Sequence, residues 1–418
     1  MSTSAYSTQK RLVAFLPNFG RAIRSLRGGS VSPQKFGFCT LIMLMKKICT
    51  GLVLFFMCLL SFSSCHHAGE IRVGLMCPLT GKWASEGQDM KNIVSLLVEE
   101  VNSKGGIQGD TVKLVVEDDA GDPRTAALAA QKLASANVVA VIGTYGSAVT
   151  EASQNIFDEA GIVQIGTGST SVRLTEKGMH LFFRTCPRDD AQGVAAGAAI
   201  VKGGYKKVAL LHDNSSYSKG LAEESRAALK KAGVPVIFFD ALTPGERDYN
   251  AILTKLKSAD PDLVFFTGYY PETGMLLRQK KEMGWTVAMM GGDAANHQDL
   301  VKIAGNAAAE GYFFISPPLP QDLDSPEARN FLSMYKGKYQ SVPVSVWAVL
   351  AGDAFKALEN AFQAGKRDPQ DIAAYLHKLS GVEGFSGSLG FDKKGDRVGK
   401  FYRTYVVDAD GRFVLQAE

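Results

Sequence analysis

The chain has 418 residues, 46% of them apolar and 21% charged, which is the composition of a globular protein with about two domains. The formal net charge of +4 is misleading, because residues 1–64 contain eight Lys or Arg and no acidic residue. Without those eight, 38 basic residues stand against 42 acidic ones, so the rest of the chain carries about −4 and has no basic bias toward nucleic acid.

The N-terminal region predicts an export signal. Lys46 and Lys47 precede an apolar stretch at 48–60, too short for an easy membrane span, and small residues lead to Cys65. This pattern resembles a bacterial lipoprotein signal, in which Cys65 becomes the lipid-anchored N-terminus. Ordinary secretory cleavage nearby is the alternative. Residues 1–64 are therefore assigned to a leader, with 1–44 either a misassigned start or an unusually long N-terminal extension.

The remaining chain alternates between short apolar runs and amphipathic segments. Strands are predicted at 71–76, 112–117, 138–142, 162–165, 181–184, 207–212, 236–239, 263–267, 288–291, 313–316, 387–390 and 401–407. Helices are predicted at 87–102, 123–136, 148–160, 189–202, 217–232, 249–259, 272–283, 327–339, 346–364 and 369–378. The two C-terminal strands are expected to be antiparallel, with a turn at 408–411.

This alternation favours an α/β protein whose parallel sheets carry helices on both faces. The strands are too many for one such sheet, so two lobes are expected. The export route permits a disulfide between Cys77 and Cys186, and two buried free thiols are the alternative.

The most informative stretch is 138–175. Two apolar strands each end in a turn of glycine and hydroxyl residues, the first being 143–147 with Tyr145 and Ser147, the second 166–170. Ligands bind at the carboxyl ends of strands in open α/β sheets. A helix that begins near Ser147 directs free N–H groups and a positive dipole end there, which suits a small carboxylate.

The catalytic and cofactor-binding motifs that the sequence partly resembles are incomplete. Gly166 and Gly168 begin a dinucleotide fingerprint, but Ser171 stands where its third glycine belongs. Ser147 lacks the flanking glycines of a nucleophile elbow. The cysteines have no CxxC spacing and the histidines are scattered, so the sequence predicts no enzyme, no metal and no cofactor.

A binding constellation is present instead, and its members all follow strands. It comprises Ser147, Gly168, Ser169, Thr170, Tyr217, Tyr269 and Asp293. Hydroxyl and N–H groups suit a carboxylate, Asp293 suits an ammonium group, and the two tyrosines can wall in a small ligand. The chain thus offers complementary ends for a zwitterion.

The segments that contain these residues resemble those of the leucine/isoleucine/valine-binding branch of the periplasmic solute-binding proteins of ABC transporters. Matching segments in order include IRVGLMCPLTGKWASEG, VNSKGGIQGDTVKLVVEDDAGDP, VVAVIGTYGSAVT, LLHDNSSYSKGLAEE and FDKKGDRVG. The resemblance implies a type I fold of two Rossmann-like lobes joined by three crossings, with lobe closure on the ligand. It divides the chain into 70–187 plus 318–395, and 188–317 plus 396–418.

The resemblance also implies roles for individual residues. Ser147 would bind the ligand carboxylate, and Gly168, Thr170 and Asp293 would bind its ammonium group. Tyr217 and Tyr269 would line the site, and Tyr145 lies in the first turn. Gly121 and Gly146 occupy positions that form a disulfide in some relatives.

Two departures from the family stand out. Glu86 and Ser345 lie where an aromatic and an apolar residue often contact the ligand side chain, so Trp83 is expected to cover the pocket instead. The interpretation is an exported, lipid-anchored receptor that delivers an amino acid, by family default a branched-chain one, to an ABC permease. A sensory module for amides or related molecules and an exported α/β enzyme are the alternatives.

Overall fold

The computed structural model of the protein describes residues 69–416. Its strands are β1 (Glu70–Cys77), β2 (Thr111–Asp118), β3 (Ala140–Ile142), β4 (Val163–Gly166), β5 (Phe182–Arg184), β6 (Val208–His212), β7 (Val236–Ala241), β8 (Leu263–Phe266), β9 (Ala288–Gly291), β10 (Phe313–Ser316), β11 (Val382–Gly384), β12 (Gly387–Leu389), β13 (Arg403–Val407) and β14 (Phe413–Leu415). The leader, Cys65 and the predicted lipidation lie outside the described residues.

The helices alternate with these strands. They are α1 (Ala84–Ser103), α2 (Pro123–Ser135), α3 (Ser147–Glu159), α4 (Arg173–Glu176), α5 (Asp189–Lys202), α6 (Ser216–Lys231), α7 (Asn250–Ser258), α8 (Tyr270–Glu282), α9 (Asp299–Ala304), α10 (Asn306–Ala309), α11 (Pro326–Tyr339), α12 (Val346–Gln363) and α13 (Pro369–Leu376), with 3-10 turns at Asp293–Ala295 and Pro320–Asp322. Within residues 69–416, no helix is both long and apolar enough to cross a membrane.

The first sheet has the order β2-β1-β3-β4-β5, and all its strands are parallel. Its central strands are buried on both faces, which explains why they read as continuous apolar runs. Helix α2 begins as predicted after Asp122, whose carboxylate accepts the N–H groups of Arg124 and Thr125 at 3.0 and 2.9 Å. These features confirm the α/β class with parallel sheets.

The second sheet has the order β14-β13-β10-β9-β8-β6-β7. Strands β6 to β10 are parallel, whereas β13 and β14 add an antiparallel edge. The chain passes from one sheet to the other after β5, returns after β10 to α12, which packs on α1 and β3, and goes back to the second sheet at β13. The boundaries of the two lobes stay a prediction.

The C-terminal strands need a correction. The predicted strands at 387–390 and 401–407 do not pair with each other: β12 pairs with β11, whereas β13 pairs with β10 and, across the predicted turn, with β14. Strands β11 and β14 were not predicted. Each has three residues and is only partly buried, so it has too little apolar pattern to be recognised.

Cys77 and Cys186 are both buried and both free. Of the two states that the sequence left open, the structure therefore has the unbonded one.

A buried ion pair holds the loop after β4. Arg184 is wholly buried and donates to Asp396 at 2.5 Å and to the carbonyl oxygens of Ser169 and Ser171 at 2.9 and 2.8 Å. Asp396 also accepts a bond from Arg188 at 2.8 Å. Burial alone would raise the pKa of Asp396, but the two guanidinium groups hold it below its usual value.

Replacing Arg184 should strongly destabilise the protein. We expect Arg184→Met to lower the free energy of unfolding by about 3 kcal/mol, because Asp396 keeps only Arg188 as a charged partner and two buried carbonyl groups lose their donor. Urea denaturation at pH 7 measures this loss, which should shrink as the pH falls through the pKa of Asp396.

The matched control is Arg173→Met, which removes an exposed pair with Glu151. Such surface pairs contribute about 1 kcal/mol or less. Equal losses for the two variants would contradict the structural role of Arg184.

Candidate functional site

The first wall of the site is the start of helix α3. Its N-cap is Gly146, so no side chain satisfies the first amide groups of the helix. Ser147 is fully buried there, and its hydroxyl oxygen accepts the N–H of Ser171 at 3.2 Å. An oxygen that accepts in this way keeps its proton to donate to another group.

The loop after β4 forms the second wall. Gly168 lies so close to Tyr145 that a Cβ atom would come within 2.6 Å of its ring and 2.9 Å of its carbonyl oxygen. Ser169 bonds to the carbonyl oxygens of Thr144 and Tyr145 at 3.1 and 3.4 Å, so its hydroxyl joins the two loops. Thr170 differs, because its buried hydroxyl lies beside the carboxylate of Asp189, whose N–H donates to the carbonyl oxygen of Thr170 at 3.0 Å.

Asp293 forms the opposite end of the site. Its two carboxylate oxygens accept the hydroxyl groups of Tyr217 and Tyr402 at 2.9 and 3.1 Å, and its own N–H donates to Gln192 at 3.0 Å. Burial raises the pKa of Asp293 to about 7, although these hydrogen bonds oppose the shift.

A second acid, Asp189, accompanies Asp293. Burial and then the charge of Asp293 raise the pKa of Asp189 well above its usual value. Arg184 offsets part of this charge but is itself paired with Asp396. In the part of the chain that the structure describes, neither acid forms a salt bridge. The site therefore has two buried acids and no paired cation.

Four aromatic rings line the space between these ends. Trp83 lies 5.3 Å from Tyr145 and 4.3 Å from Tyr269, measured between ring centroids, and Tyr269 lies 5.1 Å from Tyr217. The Trp83 ring also fills the space beside Gly121 and Gly146, where added Cβ atoms would approach it to 2.6 and 2.9 Å. An indole thus occupies the place between these two glycines.

The two residues that depart from the family pattern contact each other. Glu86 is fully buried in the first turn of α1, and one of its carboxylate oxygens accepts the hydroxyl of Ser345 at 2.5 Å. Burial raises the pKa of Glu86 to about 8. Its other oxygen, Oε1, is buried without a partner among the described residues.

Direct contacts join the two sheet layers beside the site. Ser85, at the start of α1, lies 3.2 Å from Nε2 of His297 and donates to Asp299 at 3.0 Å. Tyr270 stacks on the imidazole of His297 at 4.1 Å and donates to the carbonyl oxygen of Lys82 at 3.1 Å. Burial lowers the pKa of His297 to about 4, so it is neutral at physiological pH.

The structure brings the sequence-predicted site residues into one group. Contacts connect Trp83, Tyr145, Ser147, Gly168, Ser169, Thr170, Tyr217, Tyr269 and Asp293, the link to Thr170 passing through its neighbours in the loop. That each of them touches a ligand stays a prediction.

Sequence reasoning missed Asp189, Gln192 and Tyr402. Asp189 follows strand β5 just as the other candidates follow their strands, so the same rule could have found it. Gln192 lies one turn later on helix α5. Tyr402 comes from the antiparallel tail, where no comparable signal exists.

The family comparison matches nearly the whole described chain. A family model described as "Periplasmic binding protein" matches residues 70–412. An amino acid binding protein of Pseudomonas aeruginosa is 34% identical over 354 residues, or 84% of this chain and 93% of that protein. A leucine-, isoleucine-, valine-, threonine- and alanine-binding protein of the same organism is 33% identical over 332 residues, or 79% of this chain and 87% of that protein.

Solved structures agree with this relationship. The leucine-binding protein LivK of Thermotoga maritima has a TM-score of 0.77 and 29% identity over 83% of this chain and 98% of its own. The branched-chain amino acid binding protein LivJ of Streptococcus pneumoniae, in complex with isoleucine, has a TM-score of 0.75 and 30% identity over 83% of this chain and 100% of its own.

These relatives confirm the type I periplasmic binding fold and a solute-binding role, and they are binding proteins rather than enzymes. By a match along most of its length and by relatives at about one-third identity, the chain belongs to the periplasmic binding protein family, in its leucine/isoleucine/valine-binding branch.

Proposed function

We propose that this protein binds an L-amino acid between its two sheet layers and delivers it to the permease of an ABC transporter. The observation that carries the proposal is the pair of buried acids, Asp189 and Asp293, without a cationic partner in the described chain. Buried carboxylates are costly unless a positive charge compensates them. An ammonium group beside Asp293 supplies that charge.

The other end of the site suits the ligand carboxylate. The hydroxyl of Ser147 can donate, and the first amides of α3 carry a partial positive charge. Donors at one end and acids at the other match an α-amino acid zwitterion. The names of the relatives, which include leucine, isoleucine, valine, threonine and alanine, support the same class of ligand.

The proposal includes two lobes that close on the ligand. Lobe one comprises 70–187 and 318–395, and lobe two comprises 188–317 and 396–418. The contacts of Ser85 and Tyr270 with the opposite layer would then form on closure.

The cellular context is also proposed. The leader-like sequence at 45–64 supports export, and Cys65 would carry a lipid anchor that keeps the receptor beside its permease.

Calorimetric titration of the purified protein with the common L-amino acids tests the function. At least one amino acid should bind stoichiometrically and unchanged, and Asp293→Asn should weaken its binding about 100-fold, because the ammonium group loses a charged partner. The exposed Asp324→Asn is the control and should bind as the wild type does. Binding only of acids without an amino group, or of amides alone, would contradict the proposal.

The pH dependence of binding follows from the raised pKa of Asp293. An ammonium ligand favours the ionised carboxylate, whereas the empty site protonates near pH 7. Affinity should therefore fall as the pH is lowered below about 7, by up to about tenfold per pH unit, and binding at pH 7 should release protons.

Titration in buffers of different ionisation enthalpy measures that release. Asp293→Asn should reduce the number of protons released on binding, because only the contribution of Asp189 then remains. An affinity that rises toward low pH would contradict the assignment.

Closure should be sensitive to Ser85. Ser85→Ala removes bonds to His297 and Asp299 without touching the carboxylate and ammonium ends, so we expect about threefold to tenfold weaker binding, mainly through faster dissociation. Stopped-flow tryptophan fluorescence measures the rates. The nearby exposed Gln88→Ala is the control, and an unchanged dissociation rate in Ser85→Ala would argue against these contacts as part of closure.

A further inference from the structure

Glu86 is a buried carboxyl group that the proposed binding of the zwitterion does not use. Its Oε2 atom accepts the hydroxyl of Ser345 at 2.5 Å, and its Oε1 atom has no partner within residues 69–416. The side chain has no exposure to solvent. A buried polar atom without a partner is destabilising, so a hydrogen-bonding group is expected to satisfy it.

The surroundings of Glu86 belong to the site. After burial, the charge of Glu86 contributes most to the raised pKa of Tyr145, and Ser345 directly precedes the helix whose Trp347 lies 6.4 Å from the Tyr145 ring. The indole nitrogens of Trp83 and Trp347 are also buried without partners in the described residues. Three polar atoms without partners among the described residues thus belong to the aromatic part of the site or to the residue beside it.

Capping of helix α12 explains only part of this arrangement. The cap is supplied by Ser345, whose hydroxyl oxygen accepts the N–H of Trp347 at 3.1 Å. Glu86 adds contacts at that helix end with the hydroxyl of Ser345 and the backbone N–H of Ala348, and its Oε1 atom still has no hydrogen-bond partner among the described residues.

We infer that Glu86 and Ser345 form a polar side-chain subsite, and that the ligand is an amino acid with a short, uncharged side chain bearing a hydroxyl or carboxamide group. The inference rests on the proposed function and narrows it. A branched aliphatic side chain would leave the Oε1 atom of Glu86 unsatisfied, whereas a hydroxyl or amide provides a partner.

Charge and space favour the same class of ligand. Because burial raises the pKa of Glu86 to about 8, the carboxyl is mostly neutral at pH 7 and can both donate and accept a hydrogen bond. A neutral carboxyl does not select a cationic side chain. The Trp83 ring, packed against Tyr145 and Tyr269, restricts the room and favours a short side chain.

Isosteric ligand pairs test the inference on the unaltered protein. L-threonine and L-valine have nearly the same shape, as do L-asparagine and L-leucine, but one member of each pair is polar. By calorimetric titration, at least one polar member should bind about tenfold or more tightly than its aliphatic partner. Tighter binding of the aliphatic member in both pairs would overturn the inference while leaving the proposed function intact.

Variants test whether Glu86 causes the preference. Glu86→Leu should abolish or reverse the preference for the polar member of the pair. Glu86→Gln keeps the capacity for hydrogen bonding and should preserve the ratio of the two affinities to within a few fold. Asp89→Asn is the matched control, because Asp89 lies three residues further along α1 but bonds to Tyr335 and Val344. It should leave the ratio unchanged.

Each outcome decides a separate point. A polar preference that survives in Glu86→Leu would overturn the assignment to Glu86. If Glu86→Leu does not fold, the ratio of the affinities for the polar and aliphatic ligands is compared between the wild type and Glu86→Gln. Loss of the polar preference in Glu86→Gln contradicts the inference. Failure of every amino acid to bind would overturn the proposed function, and the inference with it.

Discussion

The site depends on how the charge of its two buried acids is compensated. Asp189 and Asp293 are both almost fully buried, and the charge of Asp293 raises the pKa of Asp189. Within the described residues, only hydroxyl and amide groups satisfy Asp293 directly. Folding around such a pair is costly above the pH at which the acids ionise. Under the proposed function, a ligand that supplies a positive charge would offset this cost, whatever its side chain.

Two contacts hold the loop that carries Thr170. Arg184 donates to two carbonyl groups of this loop after β4, and Gly168 lets the loop approach Tyr145 more closely than any other residue would allow. The N–H of Asp189 also donates to the carbonyl oxygen of Thr170 at 3.0 Å, so the same loop contacts one of the buried acids. Groups held in place in this way bind a ligand at a lower ordering cost.

Sequence alone predicted the alternating strands and helices and the group of candidate residues that the structure brings together, because parallel strands bring their carboxyl ends to one edge and short buried strands have a clear apolar pattern. It could not place Tyr402, which directly precedes the antiparallel strand β13 and reaches Asp293 across 109 positions of sequence. Nor could it predict that Glu86 and Ser345, 259 positions apart, are hydrogen-bonded. Contacts at such separations depend on how whole layers pack, and periodicity carries no information about them.

In the proposed closure, the first turn of α1 would link ligand identity to the contacts between the two sheet layers. Trp83 forms part of the aromatic wall, Ser85 reaches the opposite layer, and Glu86 lies buried beside Ser345, so three successive functions fall within four residues of chain. A side chain that satisfied Glu86 would hold this turn in the position from which Ser85 contacts Asp299 and the imidazole of His297. A side chain that left Glu86 unsatisfied would favour movement of the same turn and loss of those contacts. Selectivity in such a site would thus arise both from the contact with the ligand and from the stability of the closed state.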